Sequence, residues 1–260
     1  MTRGKFTVIE GLDGSGKSTQ ASRLAQALQG SLLTREPSEL GAGQLCSAIF
    51  SKKIEINPSE ILKFLSGHAG TPATTDFSGL ELLRSGFYMN NPQVRELCRA
   101  VEDCTNLSLS ALIVLLIADR MEHLDKIVSP ALEAGRDVIC DRYYLSNMAY
   151  QGRPSKCSEN DSSLPKGFSL PEIYDLNKRF GAIAPDLTIY LSLCPQKAIE
   201  RIKSRSNDRG IFDELQVLEQ INENYQKAIE ITASHGEKTI VVCANRCEDE
   251  IAAEILNAIR

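Results

Sequence analysis

The feature that most constrains the fold lies near the start of the chain, where Gly11-Leu-Asp-Gly-Ser-Gly-Lys-Ser18 has the spacing G-x-x-x-x-G-K-[ST]. With average residue usage, a chance match in a chain of this length has a probability of roughly 1%. Its context is specific as well. The apolar run Phe6 to Glu10 before it reads as a strand, and Lys17 to Leu28 after it carries Leu24, Ala25 and Leu28 at helical spacing. A glycine-rich turn between a strand and a helix aims backbone N–H groups and a helix N-terminus at one point, which is a cradle for phosphate oxygens. Gly11, Leu12, Asp13, Gly14, Ser15, Gly16, Lys17, Ser18 and Thr19 are therefore candidate ATP-binding residues. In such a loop the lysine reaches the β- and γ-phosphates and the hydroxyl of Ser18 holds a magnesium ion. The plain alternative is a glycine-rich turn with an exposed lysine.

Further strands follow. Leu32-Leu33, Arg136 to Asp141, Asp186 to Leu191 and Lys238 to Cys243 are short β-rich runs, and helical patterns occupy about 195–204, 212–234 and 249–259. Strands alternating with helices predict an α/β fold of the P-loop NTPase type. It has three layers, with a five-stranded parallel sheet and helices on both faces, in a single domain over 1–260. Residues 51–108 and 151–169 are too long and too polar for ordinary connections and read as lids, caps or loops.

Composition excludes several partner classes. A net charge of −5 argues against general affinity for nucleic acid, and the most apolar run, Leu109 to Ala118, is about half the length needed to cross a bilayer. The expectation is a cytoplasmic protein with neither nucleic-acid nor membrane partner. Eight cysteines are scattered without a C-x-x-C pair, so they read as small packed thiols.

Four further segments stand in order behind the phosphate loop: Thr34-Arg-Glu-Pro37, Ala118-Asp-Arg-Met-Glu-His123, Asp141-Arg-Tyr143 and Ser146-Asn-Met-Ala-Tyr-Gln-Gly152. Together they resemble the thymidylate kinases, which transfer the γ-phosphoryl of ATP to dTMP and pair as homodimers. The resemblance covers both ends of the chain and is interrupted by an extra segment at about 65–116. It implies catalytic roles for Lys17, Asp141 and Arg142, with Asp141 joining Ser18 at the magnesium ion. It implies that Arg35 clamps the acceptor phosphate, that Asp13 touches the sugar, that Arg120 bonds the thymine ring, and that Tyr150 crowds the sugar, with Asn147 and Gln151 beside the base.

Some members of that family carry a basic residue inside the loop. Here that position is Gly14, so the resemblance passes the task to a LID at 201–212, with Arg205 and Arg209 as candidates. The aromatic residue expected four positions before Arg120 is Leu116, and counting forward from Arg35 lands on Phe64, so Phe64 becomes the candidate to stack on the base. Ser38 stands where a glycine is usual. Blander roles stay open: surface ion pairs for Arg35 and Arg142, caps or turns for Asp13 and Asp141, pairing of Arg120 with Glu122 or Asp119, and a core position for Tyr150. A kinase for another nucleoside monophosphate or deoxynucleoside, or a P-loop switch ATPase, would share the loop.

Overall fold

A computed structural model of the protein describes residues 2–50, 107–152, 168–205 and 215–259. Phe64, Arg209 and most of the extra mid-chain segment lie outside these residues. Five strands form one parallel sheet: β1 (Phe6–Gly11), β2 (Leu32–Arg35), β3 (Val138–Asp141), β4 (Leu187–Ser192) and β5 (Thr239–Cys243). Their spatial order is β2-β3-β1-β4-β5. All six residues of β1 are buried, as expected of a central strand covered on both faces, whereas the edge strand β2 alternates between half-buried and exposed positions and the edge strand β5 buries only Val242 fully. Phe6, Ile9, Ile139 and Ile189 lie in the fully buried core.

Helices follow the strands: α1 (Lys17–Ala27), α2 (Gly41–Phe50), α3 (Leu107–His123), α4 (Ser129–Glu133), α5 (Tyr144–Gln151), α6 (Leu170–Arg179), α7 (Pro195–Arg205), α8 (Leu215–Ser234) and α9 (Glu248–Ile259). The apolar run 109–118 lies inside α3, where Leu112 to Ala118 are all buried. This helix runs unbroken through Leu116, the expected end of the extra segment, and on to Arg120. No helix among the described residues is long and apolar enough to cross a membrane.

Helices α2 to α6 were not foreseen from periodicity. At α6, Ser169 accepts from the Glu172 N–H while the Glu172 carboxylate accepts from the Ser169 N–H, and Pro171 occupies the first turn. That capping box, Ser-x-x-Glu around a proline, was readable in the sequence.

The chain leaves β1 for β2, returns through β3 between them, then crosses to β4 on the far side of β1. The order thus reverses between β1 and β3, and a crevice opens beyond their carboxyl ends. In register, Arg35 pairs with Asp141 and Asp141 with Ile9, so the last residues of β2 and β3 flank the loop that leaves β1.

Candidate active site

The loop between β1 and α1 is shaped by its glycines. Gly11, Gly14 and Gly16 have φ of 148°, 81° and 92°, and Gly14 packs so closely on α7 that a Cβ would lie 2.8 Å from the Ala198 carbonyl oxygen. Helix α1 begins with no side-chain cap and no acidic residue in its first turn, which leaves its N-terminal N–H groups and positive dipole end open to an anion.

A cleft of about 190 Å³ opens over this N-terminus, lined by Asp13, Gly14, Gly16, Lys17, Ser18, Thr19, Arg35, Glu36, Asp141 and Arg142. Lys17 is buried, its ammonium donating to the Leu12 carbonyl at 2.8 Å and lying 3.7 Å from Asp13. Burial, reinforced by Arg142, pulls its pKa down to about 8. Leu12 itself is a core side chain and contributes its carbonyl, which also accepts from the Ser15 N–H. Ser15 is buried and Gly11 closes the end of β1, so the cleft surface is formed from Asp13 onward.

Arg142 holds an unusual backbone, φ 74°, just past β3. Its guanidinium pairs with Asp13, donates to the Ser146 hydroxyl at 3.3 Å and lies over the Tyr150 ring at 5.1 Å. Tyr150 donates to the other Asp13 oxygen at 3.0 Å and accepts from the Asp13 N–H at 3.1 Å. Partial burial raises the Asp13 pKa, but Arg142 and Lys17 outweigh it and hold the carboxyl down to about 2.

The turn carrying Arg142 is fastened from below by Glu10 of β1, a residue the sequence did not single out. Glu10 is fully buried. Its carboxylate accepts from the Tyr143 N–H at 2.8 Å, the Ser146 N–H at 3.1 Å, the Ser146 hydroxyl at 2.5 Å and the Tyr225 hydroxyl at 3.2 Å. It caps α5 from another strand, as a carboxylate at a helix N-terminus should.

Ser18 donates to Asp141 Oδ2 at 2.5 Å, while Asp141 Oδ1 is buried without a hydrogen-bond partner. A hydroxyl and a carboxylate with a spare oxygen are hard donors beside a phosphate cradle, and they fit a magnesium ion.

Behind Glu36 runs a second polar network. Arg120 pairs with Glu36 at 2.5 Å, donates to Asn177 Oδ1 and lies over the Tyr143 ring at 4.9 Å. The acidic partner is thus Glu36, neither Glu122 nor Asp119. Asp119 instead accepts from the N–H and hydroxyl of Ser38, which gives the serine at the usual glycine position a bonding role. Asn147 and Gln151 are buried and bonded to each other, 3.3 Å apart. Arg120, Asn147 and Gln151 thus stand behind the cleft lining and outside it. Arg205 ends α7. From the same helix Arg201 donates to the carbonyls of Gly14 at 3.3 Å and Ala244 at 2.9 Å.

The sequence profile of the family described as thymidylate kinase matches residues 9–69 and 89–255. The chain belongs to the thymidylate kinase family. A probable thymidylate kinase of Thermococcus gammatolerans is 31% identical over 95% of this chain and 91% of its own length. That of Pyrococcus abyssi is 30% identical over 88% and 84%, and the thymidylate kinase of Desulfotalea psychrophila is 27% identical over 84% and 79%. The family match breaks off over residues 70–88, inside the stretch expected to be extra.

Proposed function

We propose that the chain transfers the γ-phosphoryl group of ATP to the 5′-phosphate of dTMP, giving ADP and dTDP. Family membership supports the substrates, and one observation carries the chemistry: a single cleft gathers Lys17, Ser18, Arg35, Asp141 and Arg142 around an uncapped helix N-terminus.

Phosphoryl transfer asks a protein to hold two polyanions in line and to neutralise charge between them. The N-terminus of α1 and Lys17 take the β- and γ-phosphates. Arg35, at the end of β2, takes the acceptor phosphate. Arg142 stands between the two with a planar fork that can bridge donor and acceptor oxygens. An acceptor phosphate oxygen attacks the γ-phosphorus as the bond to the β–γ bridging oxygen breaks, and ADP leaves with that oxygen. A magnesium ion held by Ser18 and Asp141 would supply charge neutralisation at the phosphates. Asp13 and Tyr150 are assigned to the acceptor sugar, and Arg120, Asn147, Gln151 and Phe64 to the base. With no room for a side chain at Gly14, Arg205 and Arg209 of the LID at 201–212 are assigned the transition-state charge.

The domain reading is one kinase domain over 1–260 with the extra segment at about 65–116. Assembly as a homodimer in the cytoplasm follows from the family resemblance and is checked by sedimentation. The activity is tested by coupled ADP release across dTMP, dUMP, dCMP, dGMP and UMP. We expect dTMP to be the preferred acceptor. Preference for another monophosphate would replace the substrate, and ATP turnover dependent only on a protein partner would favour a switch ATPase.

A further inference from the structure

Between Arg120 and Gln151 the structure holds a chain of hydrogen bonds whose direction is fixed by its first member. Arg120 can only donate, so the Asn177 oxygen must face it. The Asn177 Nδ2 then donates to the Ile173 carbonyl at 2.8 Å and to Asn147 Oδ1 at 3.1 Å. That in turn aims Asn147 Nδ2 at Gln151 Oε1, 3.3 Å away, and leaves Gln151 Nε2 as the terminal donor. The backbone carbonyl of Ile173 accepts only, so it locks the central amide from the other side. Arg120, Asn147, Asn177 and Gln151 are each at most 2% exposed, so water cannot substitute for a missing partner.

We propose that Asn177 is a specificity-determining positioning residue: by tying the obligate donor Arg120 to Asn147, it sets the polarity of the amides assigned to the acceptor base, whose terminal N–H group can then donate to a base carbonyl and is mismatched to a base amino group. The inference rests on the assignment of Arg120, Asn147 and Gln151 to the base. Thymine and cytosine differ at ring position 4, where one carries an oxygen acceptor and the other an amino donor. A free amide can rotate by half a turn and present whichever atom the base requires. An amide held by Asn177 cannot, so a cytosine amino group would confront a buried donor, and such a mismatch discriminates strongly.

The test is the ratio of kcat/KM for dTMP to that for dCMP in Asn177→Asp and Asn177→Ala. The first keeps the acceptor for Arg120 and loses the donor to Asn147; the second loses both. We expect the ratio to fall by about tenfold or more, the order of one hydrogen bond, with KM for ATP within about twofold of its original value. An unchanged ratio, or equal losses for both acceptors with a raised KM for ATP, overturns the proposal. Should neither variant fold, exchange of the Asn147 side-chain amide protons in the unaltered protein decides. Slow exchange supports the lock, and exchange as fast as in an exposed asparagine overturns it. Asn147→Ala and Arg120→Lys in the same assay separate the two levels. If neither moves the ratio, the base assignment fails, and if they move it while the Asn177 variants do not, only the role of Asn177 fails.

Discussion

Arg142 reaches from the turn after β3 to the Asp13 carboxylate inside the β1–α1 loop, so that turn and that loop are held as one unit. Tyr150 binds the second oxygen of the same carboxylate and lies under the Arg142 guanidinium. The three residues come from the β1–α1 loop, the β3–α5 turn and the end of α5.

Asp13→Asn should therefore loosen Arg142 without unfolding the chain. The Asp13 side chain is 41% exposed, so its pairing adds little to stability once solvent screening is counted. We expect kcat/KM for dTMP to fall by about a hundredfold, the scale on which misplacement of a positioning group acts. Tyr150→Phe, which keeps the ring and loses the hydroxyl, should cost less. Steady-state kinetics beside thermal unfolding check this, and unchanged kcat/KM in Asp13→Asn would remove the coupling.

Lys17 yields a pH dependence of definite sign. Its pKa is about 8 in the folded protein, below the ordinary 10.5, because burial opposes the charge. The charged form is the one proposed to hold the ATP phosphates, so kcat/KM for ATP should decline as pH rises through about 8. Stability moves the other way. Between about 8 and 10.5 the unfolded chain binds the proton more readily than the folded one, so this group makes the fold more stable with rising pH across that window. Lys17→Met should abolish both trends, as seen in pH profiles of kcat/KM and of urea midpoints. Persistence of either trend in the variant would assign it to another group.

Gly14→Arg would restore the basic loop residue that part of the family carries, yet it should not restore function here. A Cβ at this position would lie 2.8 Å from the Ala198 carbonyl oxygen, and the φ of 81° is one that side chains rarely adopt. We expect a loss of about 1–3 kcal/mol in urea unfolding and weaker ATP binding. Full stability with increased kcat would show that α7 yields readily.

The sheet and the loop were legible because both are local: short β-rich runs of two to six residues announce strands, and the glycine spacing announces its own turn. Lys17, Ser18, Arg35, Asp141 and Arg142 were found because they sit in or beside such runs, and the register of parallel strands brings their ends together. Glu10 and Asn177 were missed for the opposite reason. Glu10 looks like the polar end of a strand, and its partners Ser146 and Tyr225 are 136 and 215 residues away. Asn177 sits in a helix whose cap was visible but whose partners, Arg120 and Asn147, come from two other helices.

Glu10 gives the sharpest separation of stability from catalysis. Its carboxylate satisfies two backbone N–H groups and two hydroxyls in a site without water access, and burial raises its pKa above the usual 4.5. Glu10→Ala would leave those donors unsatisfied at about 1–3 kcal/mol for each one that finds no new partner, so a marked fall in the urea midpoint is expected. Glu10→Gln keeps the shape and one acceptor oxygen, and should recover most of the stability. It loses an acceptor at the Ser146 hydroxyl, which also receives a bond from Arg142, so kcat should still fall by about tenfold. A Glu10→Gln protein with lowered stability but unaltered kcat would limit Glu10 to capping α5, whereas recovered stability with lowered kcat would show that the cap also aims Arg142.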